Sequence, residues 1–153
     1  MKTLIVEDND IKYKKISDFL EDNFKEFTVT RKSSYSSAVK YIKEEAFDFL
    51  ILDMSLPTYD RVGLESGGRV RIFGGKEIAS QLKRKSITTP FIILTQYDSF
   101  TTDNKTIKIS DLESEFLENY GSQFHGTIYF DAINISWKCN LESVLKDLLC
   151  LKS

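Results

Sequence analysis

Histidine and proline are nearly absent from this chain of 153 residues, with one and two copies respectively. The lone His125 excludes a histidine-rich metal site and a hydrolase built on several histidines. Cysteine is as scarce. Cys139 and Cys150 sit on one expected helix, about three turns and roughly 16 Å apart, too far for an internal bridge. Unbridged cysteines point to a cytoplasmic setting. No apolar run approaches membrane-spanning length, and the N-terminus enters a strand without a signal peptide's basic and apolar regions. Neither sign of charge dominates, with 21 basic against 23 acidic residues and a net charge of −2. Such a balance gives no reason to expect nucleic acid or a membrane as a partner.

What is present is an ordinary globular composition, 41% hydrophobic and 29% charged. The length suits one domain over residues 1–153 with a sizeable core. Short apolar runs predict strands at Thr3–Val6, Phe27–Thr30, Asp48–Leu52, after Pro90, and at Thr127–Phe130. Helical spacing falls between them. A first helix starts near Asp10 with Tyr13, Ile16, Leu20 and Phe24 on one stripe, and Ser36 or Ser37 caps a second. A third covers Lys76–Arg84, and Ser110-Asp111-Leu112-Glu113 reads as a capping box opening a fourth that ends near Tyr120. Ser136 caps the last, where Trp137, Leu141, Val144, Leu145 and Leu148 face inward. Two stretches interrupt the alternation. Residues 58–75 form an insertion holding five of the seven glycines, in which Arg69-Val70-Arg71-Ile72 alternates like a hairpin arm. Residues 98–109 read as a long polar loop ending before the fourth helix. Five strands alternating with five helices specify a three-layer α/β/α sandwich around a parallel sheet, with right-handed connections.

Three apolar runs stop at a functional side chain: Leu4-Ile5-Val6 at Glu7 and Asp8, Phe49-Leu50-Ile51-Leu52 at Asp53, and Phe91-Ile92-Ile93-Leu94 at Thr95. Ligands of open α/β sheets bind outside the carboxyl ends of the strands. In a sheet of order 2-1-3-4-5 these strands are neighbours, and the three carboxylates converge. Like charges at that spacing call for a cation, and a hard divalent ion such as Mg2+ takes oxygen ligands of this kind.

The whole pattern resembles the receiver domain of two-component response regulators. The segment Leu52-Asp53-Met54-Ser55-Leu56-Pro57 is the most specific match, and Thr89-Pro90-Phe91-Ile92-Ile93-Leu94-Thr95 is a familiar form of that family's fourth strand. The resemblance implies a flavodoxin-like sheet of order 2-1-3-4-5. It casts Glu7 and Asp8 as the acidic metal-binding pair, Asp53 as the phosphoacceptor, and Ser55 as the donor of a backbone carbonyl to Mg2+. Thr95 becomes the switch hydroxyl, and Tyr129, or Phe130 beside it, the switching aromatic. It further implies a histidine kinase or phosphotransfer protein as donor and, with no effector attached, a separate output protein. Such a chain is a signalling domain rather than an enzyme, capable at most of self-phosphorylation and autodephosphorylation. Dimerisation through the fourth and fifth helices stays open.

Three features depart from that family. Receivers carry a lysine and then a proline just after the fifth strand, where this chain reads Phe130-Asp131-Ala132-Ile133-Asn134-Ile135-Ser136. Lys138 lies too far along, which leaves Lys105 or Lys108 in the long loop as replacements for the missing cation. Gln96 stands where the family has a small residue, and the 58–75 insertion adjoins Asp53 as a flap. The missing lysine and Gln96 support a second reading, a phosphorylation-independent binding module on the same fold. A third casts Asp8-Asn9-Asp10, Thr95 and Lys138 as haloacid-dehalogenase-like phosphatase motifs, but it leaves Asp53 unexplained. The basic residues Arg61, Arg69, Arg71, Lys76 and Lys83-Arg84-Lys85 read as a solvated face, with a docking surface for an anionic partner as the alternative.

Overall fold

The computed structural model describes residues 1–153. Its elements are β1 (Lys2–Val6), α1 (Asp10–Asn23), β2 (Thr28–Lys32), α2 (Tyr35–Glu44) and β3 (Phe49–Leu52). A short pair follows, β4 (Leu56–Pro57) and β5 (Val70–Arg71), then α3 (Gly74–Arg84) and β6 (Phe91–Thr95). A second pair, β7 (Ser99–Thr102) and β8 (Lys105–Lys108), leads to α4 (Ile109–Tyr120), β9 (Phe124–Tyr129) and α5 (Ser136–Lys152). The main sheet is parallel, of order β2-β1-β3-β6-β9. This is the expected 2-1-3-4-5 arrangement.

Successive side chains of a strand point to opposite faces, and a parallel sheet covered on both sides needs both sets apolar. The three central strands meet that demand. Leu4, Val6, Leu50, Leu52, Phe91 and Ile93 enter one core with Ala38, Ile78, Leu82 and Phe116 of α2, α3 and α4. Ile5, Phe49, Ile51, Ile92 and Leu94 enter the other with Ile16, Leu20, Trp137 and Leu141 of α1 and α5. Helices therefore lie on both faces, and the carboxyl ends of β1, β3 and β6 share one edge.

Several local features differ from the sequence expectation. Ser34, not Ser36 or Ser37, caps α2, its side chain accepting from the Ser37 backbone N–H. Ser110 lies inside α4 rather than at a capping box, because β8 runs straight into the helix. Ser136 likewise begins α5 without acting as a side-chain cap; its backbone N–H donates to Asn134 instead. The residues read as a long loop form the antiparallel hairpin β7–β8, turned by Asp103 and Asn104 at positive φ. Their alternation of Thr, Lys and Phe fits a two-stranded ribbon, and Phe100 anchors it to the core. β9 begins at Phe124 rather than at Thr127, and so takes in the half-buried His125. Gly126, at φ +106, sits where the β6–β9 register shifts, and the shift places Thr95 opposite Tyr129.

The insertion is tied down beside Asp53. β4 pairs with β5, and the Gly75 N–H donates to the Met54 carbonyl at 2.9 Å. A Cβ at Gly75 would stand 2.4 Å from the Asp53 carbonyl oxygen. The start of α3 therefore lies against the backbone of the strand end that presents Asp53. Gly75→Ala is expected to cost about 1–3 kcal/mol, the usual range for overpacking a tight interior. Urea unfolding checks this, and unchanged stability would mean that the α3 start yields freely.

Candidate functional site

Each acid reaches the site because its strand ends there. The Asp53 N–H donates to the Val6 carbonyl at 3.0 Å, which continues the β1–β3 ladder one step and sets Asp53 beside Glu7 and Asp8. Carboxylate oxygens of Glu7, Asp8 and Asp53 all lie within 4.8 Å of one another. Glu7 and Asp53 are buried, at 2% and 8% exposure, while Asp8 is partly open. Glu7 also accepts from the Asn9 N–H at 2.9 Å, and Asn9 in turn caps α1 by accepting from the Lys12 N–H.

That cap places a residue the sequence reading did not select. Lys12, in the first turn of α1, is 2% exposed. Its Nζ lies 2.6 Å from Glu7 Oε2 and 3.0 Å from Asp53 Oδ1, and it donates to the Leu94 carbonyl at 2.7 Å. An ammonium has three donors, and all three are used. One cation thus joins the carboxyl ends of β1, β3 and β6. The Phe130 ring lies 5.9 Å from the same nitrogen and is itself backed by Trp137, with ring centroids 5.1 Å apart.

One ammonium faces two buried carboxylates, so the electrostatics are unbalanced without further cations. Burial pushes Glu7 up to about 7, against the pull of Lys12, with the Asp53 charge adding to the rise. Burial also raises Asp53 above its ordinary value, opposed by Lys12 and the Met54 N–H. For Lys12, burial alone would lower the ammonium, but the Asp53 and Glu7 carboxylates outweigh it and hold it above its ordinary value.

The remaining candidates fall as follows. Both contacts to Asp53, from Met54 N–H and Lys12, go to Oδ1, which leaves Oδ2 uncommitted. Ser55 donates its hydroxyl to the Ile72 carbonyl at 2.9 Å, linking the site to the insertion. Thr95 is 1% exposed at the end of β6, and its hydroxyl accepts from the Tyr97 N–H. Tyr129 is 55% exposed, whereas Phe130 is buried against Lys12. Lys105 and Lys108 are exposed on the β7–β8 hairpin, so neither supplies the cation seen between the acids. Lys138 is exposed and stacks over Trp137. Asp131 turns to the Ile133 N–H in a local loop bond rather than toward the acids. Gln96 is exposed and meets the Tyr97 hydroxyl.

Comparison with known proteins agrees with the fold. The family model of the response regulator receiver domain matches residues 3–111. Its match stops before β9, the strand after which receivers carry their lysine. The chain is 29% identical over 150 residues to the Detocs response regulatory protein DtcB of Enterobacter cloacae, spanning 97% of this chain and 100% of that protein. A protein of the same name from Vibrio alginolyticus is 30% identical over 61% of this chain and 64% of its own length. Among solved structures, the response regulatory domain of mrkE from Klebsiella pneumoniae aligns with TM-score 0.67 at 14% identity, over 99% and 97% of the two chains. The receiver domain of a sensor histidine kinase from Pseudomonas aeruginosa PAO1, with magnesium in its active-site cleft, aligns with TM-score 0.58 at 17% identity, over 96% and 95%.

Removing Lys12 strands two buried carboxylates. Lys12→Met is expected to cost about 3–5 kcal/mol near pH 8. As pH falls through 7 the unpaired carboxyls, already raised in the wild type, take up protons and the deficit shrinks. Unfolding curves at pH 5.5 and 8 check the sign. A deficit that is equal at both values would show that the ammonium does not offset these charges.

Proposed function

The chain belongs to the response regulator receiver family, and from that premise we propose that it accepts a phosphoryl group on Asp53 and signals through a separate protein. The observation that carries this reading is the convergence of Glu7, Asp8 and Asp53 around an Asp53 oxygen that nothing else engages. Oδ2 attacks phosphorus, the new O–P bond forms, and the donor's bond to phosphorus breaks with its electron pair leaving on the donor. The donor would be a phosphohistidine of a histidine kinase or phosphotransfer protein. Chemistry at the domain itself would be limited to taking up and releasing this group.

The donor set suits Mg2+, being hard oxygen throughout, and Glu7, Asp8, Asp53 and the Ser55 backbone carbonyl are the residues that would hold it. Once bound, the ion would neutralise charge on the transferring oxygens. Asp8, the most open of the three carboxylates, faces only the Arg61 guanidinium, at 3.6 Å. Lys12 opposes the rise that burial imposes on Asp53, and so favours the ionised form that a nucleophile requires. Thr95, whose hydroxyl now holds a backbone N–H, would turn to a phosphoryl oxygen, and the outward Tyr129 beside it in register would move with it. A changed surface around α4 and β9 would then alter the affinity of the output partner, or of a second copy of this chain.

The phosphorylation-independent module rested on the missing lysine and on Gln96. A buried ammonium lies among the acids, and the Gln96 amide is directed to a neighbouring tyrosine, so both supports weaken. Incubation with acetyl phosphate and Mg2+, followed by intact-mass spectrometry, tests the choice. One phosphate adduct is expected on the wild type and none on Asp53→Asn or without Mg2+. A wild type that stays unmodified while it binds Mg2+ would return the reading to the binding module.

A further inference from the structure

We propose that Lys12, projecting from α1, is the ammonium that pairs with the phosphoryl group on Asp53, a part that receivers otherwise give to a lysine after the fifth strand. The inference rests on the phosphoacceptor reading above. Its geometry is specific: Nζ is within 3.0 Å of the oxygen of Asp53 that shares a carbon with the free Oδ2. It is anchored on two other sides, by Glu7 and by the Leu94 carbonyl.

The usual route of approach is closed. Phe130 fills the space next to Nζ, and the residue after it, Asp131, is an acid folded back onto Ile133. Lys12 is fixed in place by the α1 cap at Asn9 and by near-complete burial. A phosphoryl group on Oδ2 removes the charge from the Asp53 carboxylate and brings strong acceptors to the same spot. Lys12 then exchanges its Asp53 Oδ1 contact for a phosphoryl oxygen while keeping Glu7 and Leu94. No covalent bond to Lys12 forms or breaks, and the ammonium keeps its three protons. Because Leu94 directly precedes Thr95, the same nitrogen also holds the strand end that carries the switch hydroxyl.

Beryllofluoride with Mg2+ serves as the phosphoryl mimic, its occupancy read by fluorine NMR and Mg2+ affinity read separately by calorimetry. Wild type, Lys12→Met, Asp131→Lys and the double variant Lys12→Met/Asp131→Lys are compared, each first checked for folding by circular dichroism. Lys12→Met is expected to bind beryllofluoride about tenfold or more weakly, the scale of losing one charged partner of a transferring group. Its Mg2+ affinity should rise, because a cation beside the acids is gone. A purely structural lysine would lower both. The double variant, with a lysine restored at the family's position, is expected to regain beryllofluoride binding.

In the wild type labelled with 15N-lysine, the buried Lys12 Nζ resonance should shift when beryllofluoride is added to the Mg2+-loaded protein. That readout needs no variant, and it decides the matter if Lys12→Met does not fold. Beryllofluoride binding by Lys12→Met within about twofold of wild type would overturn the inference. So would an Nζ resonance that ignores the mimic. A wild type that binds no mimic would bring down the phosphoacceptor reading, and this inference with it.

Discussion

One ammonium buried among backbone and carboxylate oxygens is the constraint on which the rest of this site depends. Moving a lysine from water into a low-dielectric interior costs several kcal/mol unless good partners take over its hydration. Lys12 has three, and they come from three strands: Glu7 beyond β1, Asp53 beyond β3 and Leu94 on β6. The strand ends must therefore finish level with one another, or a donor would be left empty. The β1–β3–β6 registers supply that alignment, pairing Val6 with Leu52 and Leu52 with Ile93. Sheet register and site charge are two sides of one requirement.

The same nitrogen lowers the cost of burying two carboxylates side by side. Glu7 and Asp53 both lose hydration, which lifts both above their ordinary values; the Asp53 charge adds to the rise at Glu7, and the Asp8 charge to that at Asp53. Lys12 offsets one of the two charges. The deficit that remains is one negative charge, and Asp8 adds another on the open side. A site in that condition would suit the small divalent cation and the phosphoryl donor of the proposed function. Packing enforces the condition: Phe130 and Trp137, with Trp137 edge-on to Phe19 at 5.7 Å, cover the ammonium from the α5 side. Aromatic pairs of this kind add about 0.5–1.5 kcal/mol each beyond their burial.

The sheet was legible in the sequence because its signal is local and strong. Apolar runs of four or five residues, each stopped by a polar group, have few other meanings when helical stripes separate them. Glu7, Asp8 and Asp53 could be named for the same reason, since their places follow from where the runs end. The helix caps were less legible. Ser34, Ser36 and Ser37 are equivalent as oxygen acceptors, and only the chain path from β2 selects Ser34. The β7–β8 hairpin was hidden because its residues are polar on the outer face, with Phe100 its one deeply buried anchor. Lys12 was missed although a trace of it is present. It stands four, seven and eight residues before Ile16, Phe19 and Leu20, on the buried stripe of α1, where a charged side chain has no place unless it has partners inside. A lysine at the head of an apolar helical stripe, directly after two acids at a strand end, is a signal that can be read.

Relocating the cation also changes what the far side of the molecule must do. A lysine placed after β9 would bind that loop to the site, and the loop could change only at the expense of the charge balance. Here residues 132–135 are exposed, Ile133 at 94% and Ile135 at 66%, and the residue after Phe130 is an acid, Asp131. The duty has moved to α1, whose first turn is fixed by the Asn9 cap, by the Arg31–Asp10 pair at 2.8 Å and by Lys12 itself. α1 is thus tied to the acids at its start, while the β9–α5 loop is held by Phe130, Trp137 and a bond from Lys15 of α1 to the Ala132 carbonyl. In this chain the site's charge is set by its first helix, and the segment after the last strand is left free of that constraint.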